Sequence, residues 1–167
     1  MTKTIIFSHG KDGSPHGRKA VLFAELAADL NAHLAIPDYR STSSMEHRID
    51  MLVSLIPQQG QTILVGSSLG GYLSIMASHR VCVDGIVLLA PALGLPGYNP
   101  GKPDIKCPNS LIIHGWKDTV IPAERVFEYA KRRDGLQLTL VDDDHRLHES
   151  FHIIRATFIL FMQRIDR

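Results

Sequence analysis

The stretch Thr62-Ile63-Leu64-Val65-Gly66-Ser67-Ser68-Leu69-Gly70-Gly71-Tyr72 joins a short apolar run, through a Gly-rich turn, to an apolar segment that continues to Ser78. The turn has the pattern G-x-S-x-G with Ser68 at its centre. A sharp strand-to-helix turn projects the central hydroxyl out of the sheet, and its flanks need near-absent side chains because the backbone folds back on itself. Ser68 also stands at a helix start, where free amides favour developing negative charge. The plainer alternative is a Gly-rich turn in which Ser67 or Ser68 only caps the helix. A phosphate-cradling loop is disfavoured because no lysine follows where a P-loop has one.

The runs on either side repeat this plan. Residues 4–8 are apolar and end in His9-Gly10, 34–36 end at Pro37, 85–90 at Pro91, and 110–113 at His114-Gly115. Nearly continuous apolar runs are the mark of strands covered on both faces, as in a parallel sheet. The sixth run differs: Leu136, Leu138 and Leu140 alternate with Gln137 and Thr139, which predicts a half-exposed edge strand.

Helical spacing fills the gaps. It links Ala20, Phe23, Ala24, Ala27 and Leu30, and then Met45, Ile49, Leu52 and Ile56. Ser43 with Glu46 reads as a capping box for that second helix, which should stop at Pro57. Pro122 suits the first turn of a helix with Val126, Phe127 and Ala130. Leu147, Phe151, Ile154, Phe158 and Ile165 make the last. Strands alternating with helices give βαβ units. The expected architecture is an α/β three-layer sandwich around a six-stranded, mostly parallel sheet, with the 167 residues forming one domain.

Composition bounds the remaining choices. A chain of this length buries roughly 70% of the surface its unfolded form exposes, so it needs no disulfide or metal staple. Cys82 and Cys107 cannot make a disulfide framework; both precede adjacent strands, so whether they pair stays open, with a cytosolic setting favouring free thiols. Lys plus Arg is 18 against 17 for Asp plus Glu, which removes the electrostatic case for a nucleic-acid or membrane partner. The first apolar run is too short for a signal peptide, and the longest, 86–95, is broken by Pro91 and Gly94. A cytoplasmic protein without cofactor or metal is expected, its oligomeric state open.

In open α/β sheets the site lies beyond the carboxyl ends of the strands. His9-Gly10, the Ser68 turn, His114-Gly115 and Asp142-Asp143-Asp144-His145 all follow strands and should converge at one rim. Of nine histidines, His145 is the favoured base for Ser68. His148 is the nearest rival, but is expected inside the final helix. His114 is expected to pack internally and His9 to be structural. Asp118, just past the fifth strand, is the carboxylate placed to hold the imidazole in its working tautomer.

The order Ser68, Asp118, His145 is the Ser–Asp–His order of α/β-hydrolases, and over nearly its whole length the sequence resembles that family. It is most similar to the short, capless bacterial esterases and small serine hydrolases within it. The resemblance implies Ser68 as nucleophile, Asp118 as acid and His145 as base. It also implies an oxyanion hole from the backbone amides of Leu69, directly after the nucleophile, and Lys11, directly after His9-Gly10. Two strands common at the start of that family are missing. Asp142 stands where the family often has a glycine, and the acidic run 142–144 could favour protonated His145.

The expected reaction is acyl transfer from a small ester or thioester to water. A cap would be inserted after the fourth strand, yet residues 91–109 form only a Pro- and Gly-rich loop. Leu93, Leu95 and Tyr98 are placed there to line an open acyl pocket, or else to cover the sheet edge. Two other readings stay in play. His145, His148 and His152, spaced i, i+3 and i+7, resemble a metal-ligand run without being H-E-x-x-H. A hydrolase-fold interaction protein with an idle triad is the second.

Overall fold

The computed structural model describes residues 2–98 and 103–166. The order is β1 (Lys3–Ser8), α1 (Arg18–Asp29), β2 (His33–Ala35), a 3-10 turn (Tyr39–Ser41), α2 (Met45–Ser54), β3 (Gln61–Ser67), α3 (Leu69–Ala77), β4 (Gly85–Leu89), β5 (Ser110–Gly115), α4 (Ala123–Ala130), β6 (Leu136–Val141) and α5 (Phe151–Ile165). The six strands form one sheet in the order β2-β1-β3-β4-β5-β6. Every pairing is parallel, with Ser8 opposite Gly66 and Ser67 opposite Leu89.

The apolar runs are apolar because both faces are covered. Ile5, Phe7, Ile63, Val65, Val87, Leu89, Leu111 and Ile113 pack with α1 and α5. Their chain neighbours Ile6, Leu64, Ile86, Leu88 and Ile112 pack with α2, α3 and α4 on the other side. The period-two alternation therefore feeds two cores instead of one core and solvent. β6 closes one edge with most of its side chains half-exposed, as its alternating sequence predicts.

The chain steps outward from β1 to β2 with α1 on one face. It then returns past β1 to β3 and continues to β6, with α2, α3 and α4 on the opposite face. Changing face as the direction changes preserves the hand of every crossover. The reversal leaves a crevice between the carboxyl ends of β1 and β3, where such sheets bind ligands.

Three expectations shift in detail. Ser44, not Ser43, caps α2 by accepting the His47 N–H at 3.2 Å, and α2 ends at Ser54, before Pro57. Pro122 is the residue before α4 rather than inside its first turn. The last helix begins only at Phe151. Leu147 has a left-handed φ of 56°, which no helix admits, and its side chain is sunk in the α1–α5 core. His145 and His148 therefore lie in a loop. Residues 91–98 and 103–109 contain no helix, while residues 99–102 of the same loop lie outside the described residues. Among the described residues no helix is long and apolar enough to cross a membrane. Cys82 is exposed and Cys107 buried, both free thiols.

Candidate active site

Ser68 owes its position to the glycines around it. Its backbone has φ 53° and ψ −115°, a conformation that few side-chain-bearing residues adopt. A Cβ at Gly66 would lie 2.3 Å from the Gly70 carbonyl oxygen, and one at Gly70 only 1.9 Å from the Ser8 carbonyl oxygen. The turn is pinned from both sides: Ser68 N–H donates to the Leu89 carbonyl at 2.9 Å, and Ala92 N–H donates to the Ser68 carbonyl at 3.0 Å. These contacts hold the strained residue in place.

His145 lies with Nε2 2.9 Å from Ser68 Oγ and Nδ1 2.7 Å from Asp118 Oδ2. The carboxylate can only accept, so Nδ1 carries the proton and the Nε2 lone pair accepts from the serine hydroxyl. The Asp118 side chain is fully buried, and His145 is 21% exposed. Oδ1 of Asp118 accepts the amides of Val120 and Ile121 at 2.8 and 2.7 Å. Burial works against a charged Asp118, but the hydrogen bonds from His145 and Ile121 outweigh it and hold the carboxyl below its ordinary range. The structure thus brings all three residues named from the sequence into one hydrogen-bonded row.

Lys11 and Leu69 border the same cavity. Among the described residues, no protein acceptor takes the backbone amide of either. The Lys11 turn is fixed by His9, whose Nδ1–H donates to the Gly10 carbonyl at 2.8 Å and whose ring packs on Tyr39. Tyr39 in turn shares a 2.8 Å hydrogen bond with Ser8. His9 is structural, as expected.

The acidic run beside His145 is committed elsewhere. Asp142 pairs with Lys117 at 2.8 Å. Asp144 accepts the Arg146 amide at 2.7 Å. Asp143 is buried and takes the amides of Asp144, Glu149 and Ser150 at 2.7, 3.0 and 2.9 Å. Burial opposes its charge, but the Ser150 side chain and these amides prevail, so its carboxyl stays below the ordinary value. Asp143 folds the loop that presents His145, a role the sequence did not reveal. His114 packs internally, as expected, and in addition backs Asp118, which was not foreseen from the sequence. It is wholly buried, donates from Nε2 to the Ile121 carbonyl at 2.8 Å, and lies 3.4 Å from Asp118 Oδ2. Its position one strand-end before Asp118 was the available signal.

The cavity over Ser68 has a volume of about 510 Å3. Leu95, Tyr98 and Val120 supply apolar lining. Leu93 does not belong to it. The left-handed turn at Ala90 (φ 45°) sends the chain back over Ser68, and Leu93 is completely buried in the α2–α3–α4 core. His148, expected in a helix facing away, borders the cavity instead, together with Arg146. His145, His148 and His152 do not gather as ligands: among the described residues no group of three or more His, Cys, Asp or Glu side chains is arranged to hold a metal ion.

Residues 4–102 match the profile of the uncharacterised protein family UPF0227, a segment that includes Ser68 and stops short of Asp118 and His145. No curated protein matches the sequence significantly. Among solved structures, the fold is similar to a Xanthomonas campestris pv. campestris protein described as a candidate hydrolase of the alpha/beta superfamily. The TM-score is 0.86 at 26% identity, covering 96% of this chain and 98% of that one. It is also similar to a Xanthomonas campestris a/b serine hydrolase without lid (TM-score 0.81, 19% identity, 97% and 81% covered). A third is mouse alpha/beta hydrolase domain-containing protein 10 (TM-score 0.78, 21% identity, 97% and 90% covered). The fold is that of the α/β-hydrolases, in a form without a lid among the described residues.

Proposed function

The chain belongs to the family UPF0227, and from that premise we propose that it is a serine hydrolase of carboxylesterase type acting on small acyl esters or thioesters. The observation that carries this reading is the unbroken row Ser68 Oγ, His145 Nε2, His145 Nδ1, Asp118 Oδ2 at 2.9 and 2.7 Å.

The chemistry follows from the row. Ser68 Oγ attacks the acyl carbon while His145 Nε2 removes its proton. Asp118 stabilises the imidazolium without taking the proton. The carbonyl oxygen gains charge and is met by the Leu69 and Lys11 amides. When the tetrahedral species collapses, the bond to the leaving oxygen or sulfur breaks, and that atom takes the proton from Nε2. Water then repeats the sequence on the acyl-enzyme, releasing the carboxylic acid and free Ser68. A protein of this kind uses no cofactor, and its partner is the small-molecule ester.

Ser68→Ala should lower kcat on 4-nitrophenyl acetate by about 10^4-fold or more, with an unchanged melting curve. A fluorophosphonate should label wild type at Ser68 alone. An unlabelled wild type, or a Ser68→Ala protein as fast as wild type, would sink the proposal and leave an interaction protein with an idle triad.

A further inference from the structure

The cations of this chain differ in what answers their charge. Lys3, Arg40, Arg80, Lys117 and Arg155 each have a carboxylate within ion-pair distance, as do Lys131, Arg132 and Arg133. Arg48 and Arg125 donate instead to the carbonyls of Thr42 and Gly94. None of these borders the cavity over Ser68. Lys11, Arg18, Lys19 and Arg146 all do, and among the described residues none of the four has a carboxylate at that distance. Among the described residues Asp12 is the one acidic residue in the lining. Lys106 and Arg164 also have no carboxylate at that distance among the described residues but lie away from the cavity. What marks the rim is that four such cations line one cavity, which a net charge near zero conceals.

The arrangement is costly to the fold. Burial pushes the Lys19 amine down to about 8, against the pull of Asp144 and Asp143 and with Arg146 adding to the fall. Arg18 and Lys19 occupy the first turn of α1, whose free amides are already positive. That turn has no acidic side chain, and Gly17 offers no capping group. Local choices that work against stability are expected where a site has a ligand to meet.

The charges also have a side. Arg146 and His148 share the loop of His145, and Lys19 is coupled through space to Asp143, Asp144 and Arg146 of that loop. His148 feels both Arg18 and Lys19. The leaving group must depart beside the imidazole that protonates it, which is this side. Leu95 and Tyr98 pack on the α2–α3–α4 core, across the sheet from α1. We infer that the substrate is an ester whose alcohol portion carries an anion, a phosphate or a carboxylate, received by Lys19, Arg146 and Arg18, with its acyl group against Leu95 and Tyr98. This rests on the serine-hydrolase reading above. Hydrolysis then releases the alcohol with its anion intact.

Four acyl esters test it: 4-acetoxybenzoate and 4-acetoxyphenyl phosphate, each with its charge on the alcohol side; neutral methyl 4-acetoxybenzoate; and phenyl hydrogen succinate, charged on the acyl side. The first two should exceed the neutral ester in kcat/KM by about tenfold, through KM, as expected for one charge-assisted contact. The succinate should show no such gain. The gain should shrink with added salt and fall to near unity in Lys19→Gln/Arg146→Gln. For wild type the KM of the anionic esters should rise as Lys19 loses its proton above about pH 8. Asp143, Asp144, Arg146, Arg18 and His148 set the environment of that titration.

Calorimetry of phenyl phosphate and benzoate with the Ser68→Ala protein reads the cations without chemistry. Binding that weakens about tenfold on adding Lys19→Gln/Arg146→Gln supports the inference even if every ester resists hydrolysis, an outcome that would sink the serine-hydrolase reading alone. An anionic-to-neutral ratio that the double variant keeps, or no phenyl phosphate or benzoate binding, overturns it.

Discussion

A methyl group added at Gly70 would sit 1.9 Å from the Ser8 carbonyl oxygen, whereas the loop carrying His145 is shaped by a carboxylate, Asp143, that gathers three backbone amides. The Ser68 turn is fixed by exclusion: only glycine fits at its flanks, and the strained Ser68 backbone has nowhere else to go. The His145 loop is fixed by satisfaction, since buried amides need an acceptor and one side chain supplies it. The first kind of constraint fails abruptly when a single atom is added. The second weakens by degrees as hydrogen bonds are lost.

Gly70→Ala is accordingly the most damaging single change. The clash is with backbone, which cannot rotate away as a side chain could, so β1 and β3 must separate at the rim. A loss of about 4 kcal/mol or more is expected, large enough to appear as poor expression or a collapsed denaturant midpoint. A Gly70→Ala protein with the wild-type denaturant midpoint would show that the turn yields more readily than its geometry indicates.

Asp143→Asn probes the other region. The amide keeps one acceptor oxygen and places an NH2 group where backbone N–H groups already point. A loss of about 1–3 kcal/mol in unfolding free energy is expected. On 4-nitrophenyl acetate, kcat should fall more than KM changes, because His145 loses its aim while the cavity persists. Wild-type kcat with a wild-type melting curve would show that Asp143 is a bystander. Asp142→Asn serves as the control: its partner Lys117 is exposed, and neither kcat nor stability should move measurably.

The contrast also explains what was legible in the sequence. Steric rules are local, so the G-x-S-x-G turn, the apolar runs and the edge character of β6 could be read from short windows. Asp118 and His145 were legible through their places after strands. Asp143 was not, because an acidic run looks the same whether its members face water or backbone amides. Leu147 suggested an early helix by its spacing from Phe151, although its left-handed backbone makes it the anchor of a loop. That error displaced His148 from the site. Leu93 was misplaced because the reversal at Ala90 depends on a hydrogen bond from Ala92 to Ser68, two elements away. The cation cluster was invisible to net charge because a sum over the whole chain carries no information about which cations share a cavity.

The mildest consequence concerns pH. His114 backs Asp118 and is held neutral: burial lowers its pKa, while the Ile121 carbonyl and Asp118 oppose that fall and His145 adds to it. Among the described residues its Nδ1 has no hydrogen-bond partner, so protonation there would leave a buried N–H without an acceptor. An unfolded histidine titrates near 6.5. Above that value both states are neutral and His114 contributes no pH dependence. As pH falls through it, the unfolded chain takes up a proton that folded His114 refuses, and stability declines until the lower folded pKa is reached. His9, also depressed chiefly by burial, acts in the same direction. Asp118 has its folded value below 3.8, and its contribution is lost only in stronger acid. The thermal midpoint should therefore drop between about pH 7 and 5, before any carboxylate effect. His114→Gln keeps a donor for the Ile121 carbonyl but cannot titrate, so it should flatten that drop and leave the share owed to His9 and to His148, which is also depressed chiefly by burial. Superimposable pH profiles for the two proteins would mean that His114 is protonated as readily inside the fold as outside it.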